Sequence, residues 1–214
     1  MGQINGHGIT AYGNPDASIV LIQAVDDHDL AGMENETAEI RKLTAADFCL
    51  LAVRVQNWNN DLSPWAAPAV FGKEAFGGGA SDTLAEVLEH TAGKGKTYYL
   101  GGYSLAGLFS LWAGYNSELC NGIAAASPSV WYPRWTEYIE GKGMHSKAVY
   151  LSLGDRESRT KNPVMAHVDD AIRLQHELVS AQGIATTLEW NPGGHFVDSE
   201  KRMAKAFGWA VENL

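Results

Sequence analysis

The residues best suited to covalent chemistry lie in the segment 101–107, which reads Gly-Gly-Tyr-Ser-Leu-Ala-Gly. Ser104 has a small residue two positions before it and another two positions after it, Gly102 and Ala106. A serine presented on a tight turn between a strand and a helix needs such neighbours, because bulky side chains there would collide with backbone. The turn also directs the next amide, that of Leu105, to where negative charge would develop on a substrate oxygen. The spacing therefore predicts a nucleophilic serine, with Leu105 N–H as an oxyanion donor; a glycine-rich turn whose serine only caps the helix is the alternative.

A nucleophilic serine needs a base and an orienting acid, which follow it along the chain in the order acid, then histidine. His195 lies in a glycine-rich segment directly after the last predicted strand, and it is the predicted base. The segment 153–157, Leu-Gly-Asp-Arg-Glu, offers two carboxylates that could orient the imidazole. Glu157, three residues after the glycine, is favoured. Asp155 stays as the alternative acid, or it binds backbone N–H groups or pairs with an arginine.

Two other segments have residues typical of different chemistry. Residues 93–97, Gly-Lys-Gly-Lys-Thr, resemble a phosphate-binding loop, but they lack its first glycine and precede a strand rather than a helix. The acidic segment 26–29 could hold a metal, yet four consecutive residues seldom converge on one ion, so a solvated loop is favoured. Its backbone, at Asp26, is the predicted second oxyanion donor. We expect neither a metal nor a cofactor.

Strands and helices alternate along the chain, and they must position these residues. A weak edge strand is predicted at 9–12, and buried strands at 18–25, 48–55, 97–101, 122–127, 148–153 and 185–190. Helices are predicted at 33–43, 82–90, 105–115, 135–140, 164–182 and 199–213. The alternation predicts an α/β fold, a mainly parallel sheet with helices on both faces. The candidate residues all follow strands, where such sheets bind ligands.

The length and net charge of the chain limit its domain organisation and its classes of partner. At 214 residues a single domain over 1–214 is expected. The net charge of -9 argues against nucleic acid or an anionic membrane as a partner. The chain has no apolar run near 20 residues and no apparent leader, and its two cysteines lack metal or redox spacing, so a soluble cytoplasmic protein is expected. The oligomeric state stays open.

The chain resembles an α/β-hydrolase, in particular the esterase group that includes the enterochelin-type siderophore esterases and the S-formylglutathione hydrolase relatives. The resemblance covers residue 18 to the carboxyl end and rests on the motifs at 101–107, 126–131, 153–157 and 193–196. It implies a cofactor-free serine hydrolase, first a carboxylesterase acting on a small-molecule ester. By resemblance Ser104 is the nucleophile, His195 the base, Glu157 or Asp155 the acid, and Leu105 N–H an oxyanion donor.

The sequence departs from that group at three places: Ala106 stands for the second glycine, the sheet has almost no upstream extension, and an acidic loop replaces the usual His-Gly after the first strong strand. Few residues separate the strand near 127 from the next one, so no sizeable lid is expected. The aromatic loop 58–76 and the segment after residue 127 would then wall the substrate cleft, with Trp65 and Trp131 as the predicted contacts. An acyltransferase, thioesterase or peptidase with the same residues, or a non-catalytic binding protein, is the alternative.

Overall fold

The computed structural model describes residues 8–91, 93 and 95–214. Within them a seven-stranded sheet is formed by β1 (Gly8–Gly13), β2 (Ile19–Val25), β3 (Phe48–Arg54), β6 (Thr97–Tyr103), β7 (Cys120–Ala126), β8 (Ala148–Gly154) and β9 (Ala185–Asn191). Its spatial order is β1-β3-β2-β6-β7-β8-β9. All neighbours are parallel except the edge strand β1, which pairs antiparallel with β3. A separate two-stranded ribbon joins β4 (Ala66–Ala67) and β5 (Phe76–Gly77).

Helices cover both faces of the sheet. They are α1 (Asp27–Leu43), α2 (Trp58–Asp61), α3 (Ala80–His90), α4 (Leu105–Gly114), α5 (Trp135–Ile139), α6 (Val168–Ser180) and α7 (Ser199–Glu212), with a 3₁₀ turn at Met165–His167. Because successive strand side chains point to opposite faces, Leu21 of β2 packs in the core under α1 and α7. The next residue, Ile22, packs in the core that includes residues of α3 to α6. A strand buried on both faces reads as a continuous apolar run, as these strands do.

The predicted fold class is confirmed: the sheet is mainly parallel, it carries helices on both faces, and its edge strand is where the weak signal placed it. The expectation of no sizeable lid also agrees. Residues 127–147, between β7 and β8, hold only the short helix α5, whose Trp135 and Ile139 side chains are buried in the core. None of the helices in the described residues is both long and apolar enough to span a membrane.

Three local predictions were wrong. Helix α1 begins at Asp27 rather than at residue 33, because the Asp26 side chain accepts the Asp29 N–H at 2.8 Å and caps the helix. Helix α3 begins at Ala80 rather than at residue 82. The predicted aromatic loop 58–76 is not irregular throughout, since it contains α2 and most of the β4–β5 ribbon. Residues 1–7 and Lys94, on which the leader and phosphate-loop interpretations partly rest, lie outside the described residues.

Candidate active site

Ser104 lies on the turn between β6 and α4, with φ 57° and ψ −120°. A non-glycine residue seldom adopts a positive φ, and such a conformation costs about 1–3 kcal/mol that the surrounding structure must supply. The structure shows why the residues near Ser104 in this turn must be small. A Cβ added to Gly102 would lie 2.4 Å from the backbone carbon of Ala106, and one added to Gly107 would lie 2.9 Å from the Gly102 carbonyl oxygen. The tight turn therefore holds the Ser104 hydroxyl at the carboxyl edge of the sheet.

His195 links the serine to a carboxylate. Its Nε2 lies 3.0 Å from Ser104 Oγ, and its Nδ1 lies 2.7 Å from Glu157 Oε2. An ionised carboxylate can only accept, so Nδ1 carries the proton and donates to Glu157. In the neutral ring Nε2 is then the unprotonated nitrogen, and it faces the serine hydroxyl as an acceptor. This is the tautomer that a general base requires.

Glu157 is held as an ion. Its side chain is only 5% exposed, and its Oε1 accepts hydrogen bonds from Ser127 Oγ at 2.7 Å, Gly154 N–H at 2.7 Å and Arg202 Nη1 at 3.0 Å. Burial raises the pKa of this carboxyl. The hydrogen bond and charge of His195, together with the bonds from Ser127 and Gly154, outweigh burial and bring the pKa below its ordinary value.

The Asp155 carboxylate makes different contacts. Its Oδ1 accepts the Gly193 N–H at 2.8 Å and lies 3.6 Å from Arg156 Nε, and the side chain is 55% exposed. It therefore ties the turn after β8 to the loop that carries His195. Of the two candidate carboxylates, Glu157 contacts the imidazole, while Asp155 has the backbone and arginine contacts of the alternative interpretation.

Arg202 connects several parts of the site and was not singled out from the sequence. It projects from α7, is 2% exposed, and donates from Nη1 to Tyr103 OH and Ser127 Oγ, each at 3.1 Å, as well as to Glu157. Its Nη2 donates to two carbonyl oxygens of the His195 loop, Pro192 O and Gly194 O, each at 3.1 Å. A sequence signal existed: Arg202 falls on the buried face of α7, where an arginine needs partners.

We expect the variant Arg202→Met to lose about 3–5 kcal/mol of unfolding free energy, because it leaves Glu157 buried without its cation and two carbonyls without donors. Urea denaturation measures the loss. Arg159→Met, at an exposed arginine, should change stability by less than about 0.5 kcal/mol. Arg202→Lys should restore part of the lost stability and part of kcat, since an ammonium retains the charge but cannot span both carbonyls. Equal stability of the Met variant and the native protein would contradict the role.

Around Ser104 Oγ the structure places one further hydroxyl. Ser129 Oγ lies 3.3 Å away, and the Ser129 N–H donates to the Ser104 carbonyl oxygen at 2.9 Å.

The two amides predicted to stabilise an oxyanion both belong to this region. Leu105 N–H is a first-turn amide of α4, for which a helix provides no acceptor, and Asp26 lines the same cavity as Ser104.

A cavity of about 260 Å³ opens on Ser104. It is lined by Asp26, His28, Asp29, Trp58, Tyr103, Ser104, His195, Phe196 and Ser199. Trp58 comes from the predicted aromatic loop, and Phe196 from the loop of the histidine. The lining thus combines polar and acidic side chains with the apolar rings of Trp58 and Phe196.

The two tryptophans predicted to contact substrate are not among the residues lining this cavity. Trp65 donates from Nε1 to Pro133 O at 3.0 Å and packs among aromatic rings of α5. Trp131 is nearly buried and packs edge-on against Phe71. Trp58 and Phe196 line the cavity beside Ser104, whereas later rings of the aromatic loop pack against the β7–β8 connection.

Of the comparisons with known proteins, the one with solved structures identifies the fold. No protein-family model and no curated protein sequence matches this chain. Among solved structures, the chain is similar to the siderophore hydrolase EstA from Aspergillus nidulans, with a TM-score of 0.73 and 16% identity over 97% of this chain and 91% of that one. Est1E from Butyrivibrio proteoclasticus matches with a TM-score of 0.62 and 12% identity, over 99% and 96% of the two chains.

The enterobactin esterase FES from Shigella flexneri matches with a TM-score of 0.63 and 11% identity; the match covers 95% of this chain but 55% of that enzyme. At such low sequence identities, the structural similarity establishes the fold alone. Together with the strand order, it shows that the chain has the α/β-hydrolase fold of these esterases.

Proposed function

We propose that this protein is a serine esterase, most simply a carboxylesterase acting on a small-molecule ester. Ser104 is the nucleophile, His195 the general base, and Glu157 the acid that orients the imidazole. The observation that carries the proposal is the continuous link from Ser104 Oγ to His195 Nε2 at 3.0 Å and from His195 Nδ1 to Glu157 Oε2 at 2.7 Å. The link is built on a turn whose serine has the positive φ of a nucleophile elbow.

In the first half-reaction Ser104 Oγ attacks the ester carbonyl while its proton passes to His195 Nε2. The tetrahedral oxyanion is stabilised by Leu105 N–H. The second proposed donor, the Asp26 backbone N–H, would have to exchange its hydrogen bond with the Asp29 carboxyl for one to the oxyanion. His195 then gives its proton to the departing alkoxide, which leaves as the alcohol. In the second half-reaction His195 takes a proton from water, the resulting hydroxide attacks the acyl-enzyme, and the acid product is released as the proton returns to Ser104.

Two further observations support an ester as the substrate. The similar solved structures are named as siderophore hydrolases and esterases. The cavity beside Ser104 combines aromatic walls with polar groups, the usual composition of a small-molecule site.

The experiment is covalent labelling with a fluorophosphonate, followed by mass spectrometry of the modified peptide. We expect the label on Ser104, because an activated serine reacts with this probe. Ser129→Ala is the matched control: it removes the neighbouring hydroxyl 3.3 Å away and should leave the label on Ser104. Absence of label from the native protein, or its attachment to Ser129, would refute the proposal.

A further inference from the structure

A small recess adjoins the Ser104 cavity. The recess and the cavity share the lining residues His28, Asp29, Tyr103 and Ser199, and the recess is further lined by Gln23, Glu36, Glu200 and Met203. Its volume is about 30 Å³, room for one or two groups the size of a water molecule. A substrate group that reaches from the cavity into this recess must therefore be narrow.

The recess presents buried acceptors that lack donors. Gln23 and Glu36 are each 3% exposed, and Gln23 Nε2 donates to Glu36 Oε2 at 3.4 Å. The other oxygens, Gln23 Oε1 and Glu36 Oε1, have no hydrogen-bond partner among the described residues. An unpaired buried acceptor carries an uncompensated desolvation cost, so a guest that donates to these oxygens would recover that free energy.

The charges around the recess favour a cation. Burial raises the pKa of Glu36 to about 8, with the charges of Asp29 and Glu200 adding to the rise and the Gln23 hydrogen bond opposing it. Burial and the charge of Asp26 raise the pKa of Asp29 to about 6, against the backbone hydrogen bond from Asp26 and the charge of His28, which lower it. Burial and the neighbouring negative charges thus disfavour the ionised forms of Glu36 and Asp29, and a positive guest would favour those ionised forms.

The Glu200 carboxylate lies directly on α1. A Cβ at Gly32 would be 2.5 Å from Glu200 Oε1, so glycine provides the room for this contact. Glu200 is in the first turn of α7 and Asp29 in the first turn of α1, where helix dipoles favour negative charge. Two helices therefore direct carboxylates towards one small volume.

We propose that this recess binds the primary ammonium group of a cationic ester substrate, whose N–H groups donate to Gln23, Asp29 and Glu36. The inference rests on the proposed esterase activity of Ser104. A primary ammonium has three donors and is narrow enough for the recess. A metal ion is the poorer guest, since the described residues include no group of three His, Cys, Asp or Glu side chains suited to hold one. The walls at Trp58 and Phe196 suit the hydrocarbon stem of such a substrate.

The first test uses butylammonium as an inhibitor of p-nitrophenyl acetate hydrolysis, compared with butanol and with tetramethylammonium at equal ionic strength. We expect butylammonium to inhibit at least tenfold more tightly than either. Butanol lacks the charge; tetramethylammonium has the charge but no N–H donor and is too wide. Equal inhibition by all three, or by the two cations, would overturn the proposal, because it would mean apolar contact or general attraction to an acidic protein.

Matched variants locate the binding. Glu36→Gln and Asp29→Asn should each weaken butylammonium inhibition at least tenfold, whereas Glu34→Gln, on the exposed side of the same helix, should leave it unchanged. The native protein should bind butylammonium more tightly as pH rises from about 6 to about 8, since Asp29 and then Glu36 ionise while an amine of the lysine type stays protonated. Unchanged inhibition in both variants, or affinity that falls with pH, would contradict the assignment.

Calorimetry separates this inference from the proposed function. Butylammonium should bind the Ser104→Ala protein, because binding needs no turnover. Its affinity for that protein should fall at least tenfold when Glu36→Gln is added. Binding without any ester hydrolysis by the native protein would refute the esterase proposal and retain the recess. Normal hydrolysis without preference for butylammonium would refute the recess alone.

Discussion

Replacing Ser104 with alanine is expected to lower kcat for ester hydrolysis by about four to six orders of magnitude. In the proposed mechanism the loss is this large because the neighbouring hydroxyl cannot take over: among the described residues, Ser129 Oγ lies beside Ser104 Oγ rather than against His195 Nε2. Steady-state hydrolysis of p-nitrophenyl acetate and fluorophosphonate labelling measure the effect. The Ser129→Ala variant, which keeps the nucleophile, should lose far less.

The same position allows a test of strain. Alanine keeps a Cβ at φ 57°, whereas glycine accepts this backbone conformation without cost. Ser104→Gly should therefore be about 1 kcal/mol more stable than Ser104→Ala in urea denaturation, although both are inactive. Retained hydrolysis in either variant would exclude Ser104 as the nucleophile. Equal stability of the two would mean that the turn is not strained.

Much of the fold could be predicted because burial leaves a direct trace in the sequence. Strands β2, β3, β6 and β8 are covered on both faces and read as nearly continuous apolar runs. Their alternation with helices then predicts a parallel sheet. The prediction failed where polar residues cap a helix instead of forming a solvated loop. Asp26 to Asp29 resemble a loop by composition, yet the Asp26 side chain makes them the first turn of α1.

The site could be predicted in part for a similar reason. The carboxyl ends of parallel strands share one edge, so residues that follow β6, β8 and β9 are brought together whatever their distance along the chain. Spacing favours Glu157 over Asp155 but leaves both open, because both occupy one short turn and only side-chain direction distinguishes them. Arg202 could not be found this way, since its partners come from remote segments and follow no local motif. Ser129 and Trp58 lie within the motif 126–131 and the aromatic loop 58–76, but spacing alone gives neither of them a role.

Glu157→Gln is expected to lower kcat by about three to four orders of magnitude, while Asp155→Asn stays within about tenfold of the native rate. Glutamine presents an amide N–H to His195 Nδ1 in the orientation that keeps its oxygen on Ser127 and Gly154. Nδ1 must then accept, so the proton moves to Nε2, and Nε2 can no longer take the proton of Ser104. Asparagine at 155 still offers an oxygen to the Gly193 N–H and leaves the imidazole untouched.

Stability distinguishes this role from a purely structural one. Glu157→Gln leaves Arg202 buried without its anion, so we expect a loss of about 3 kcal/mol in urea denaturation alongside the loss of kcat. Arg202→Met should show a comparable loss of stability with a smaller loss of rate, because His195 keeps its carboxylate and its tautomer. The ratio of rate loss to stability loss therefore identifies the group that holds the imidazole. If Asp155→Asn lost as much rate as Glu157→Gln, or if Glu157→Gln stayed within tenfold of native, the acid would have to be reassigned.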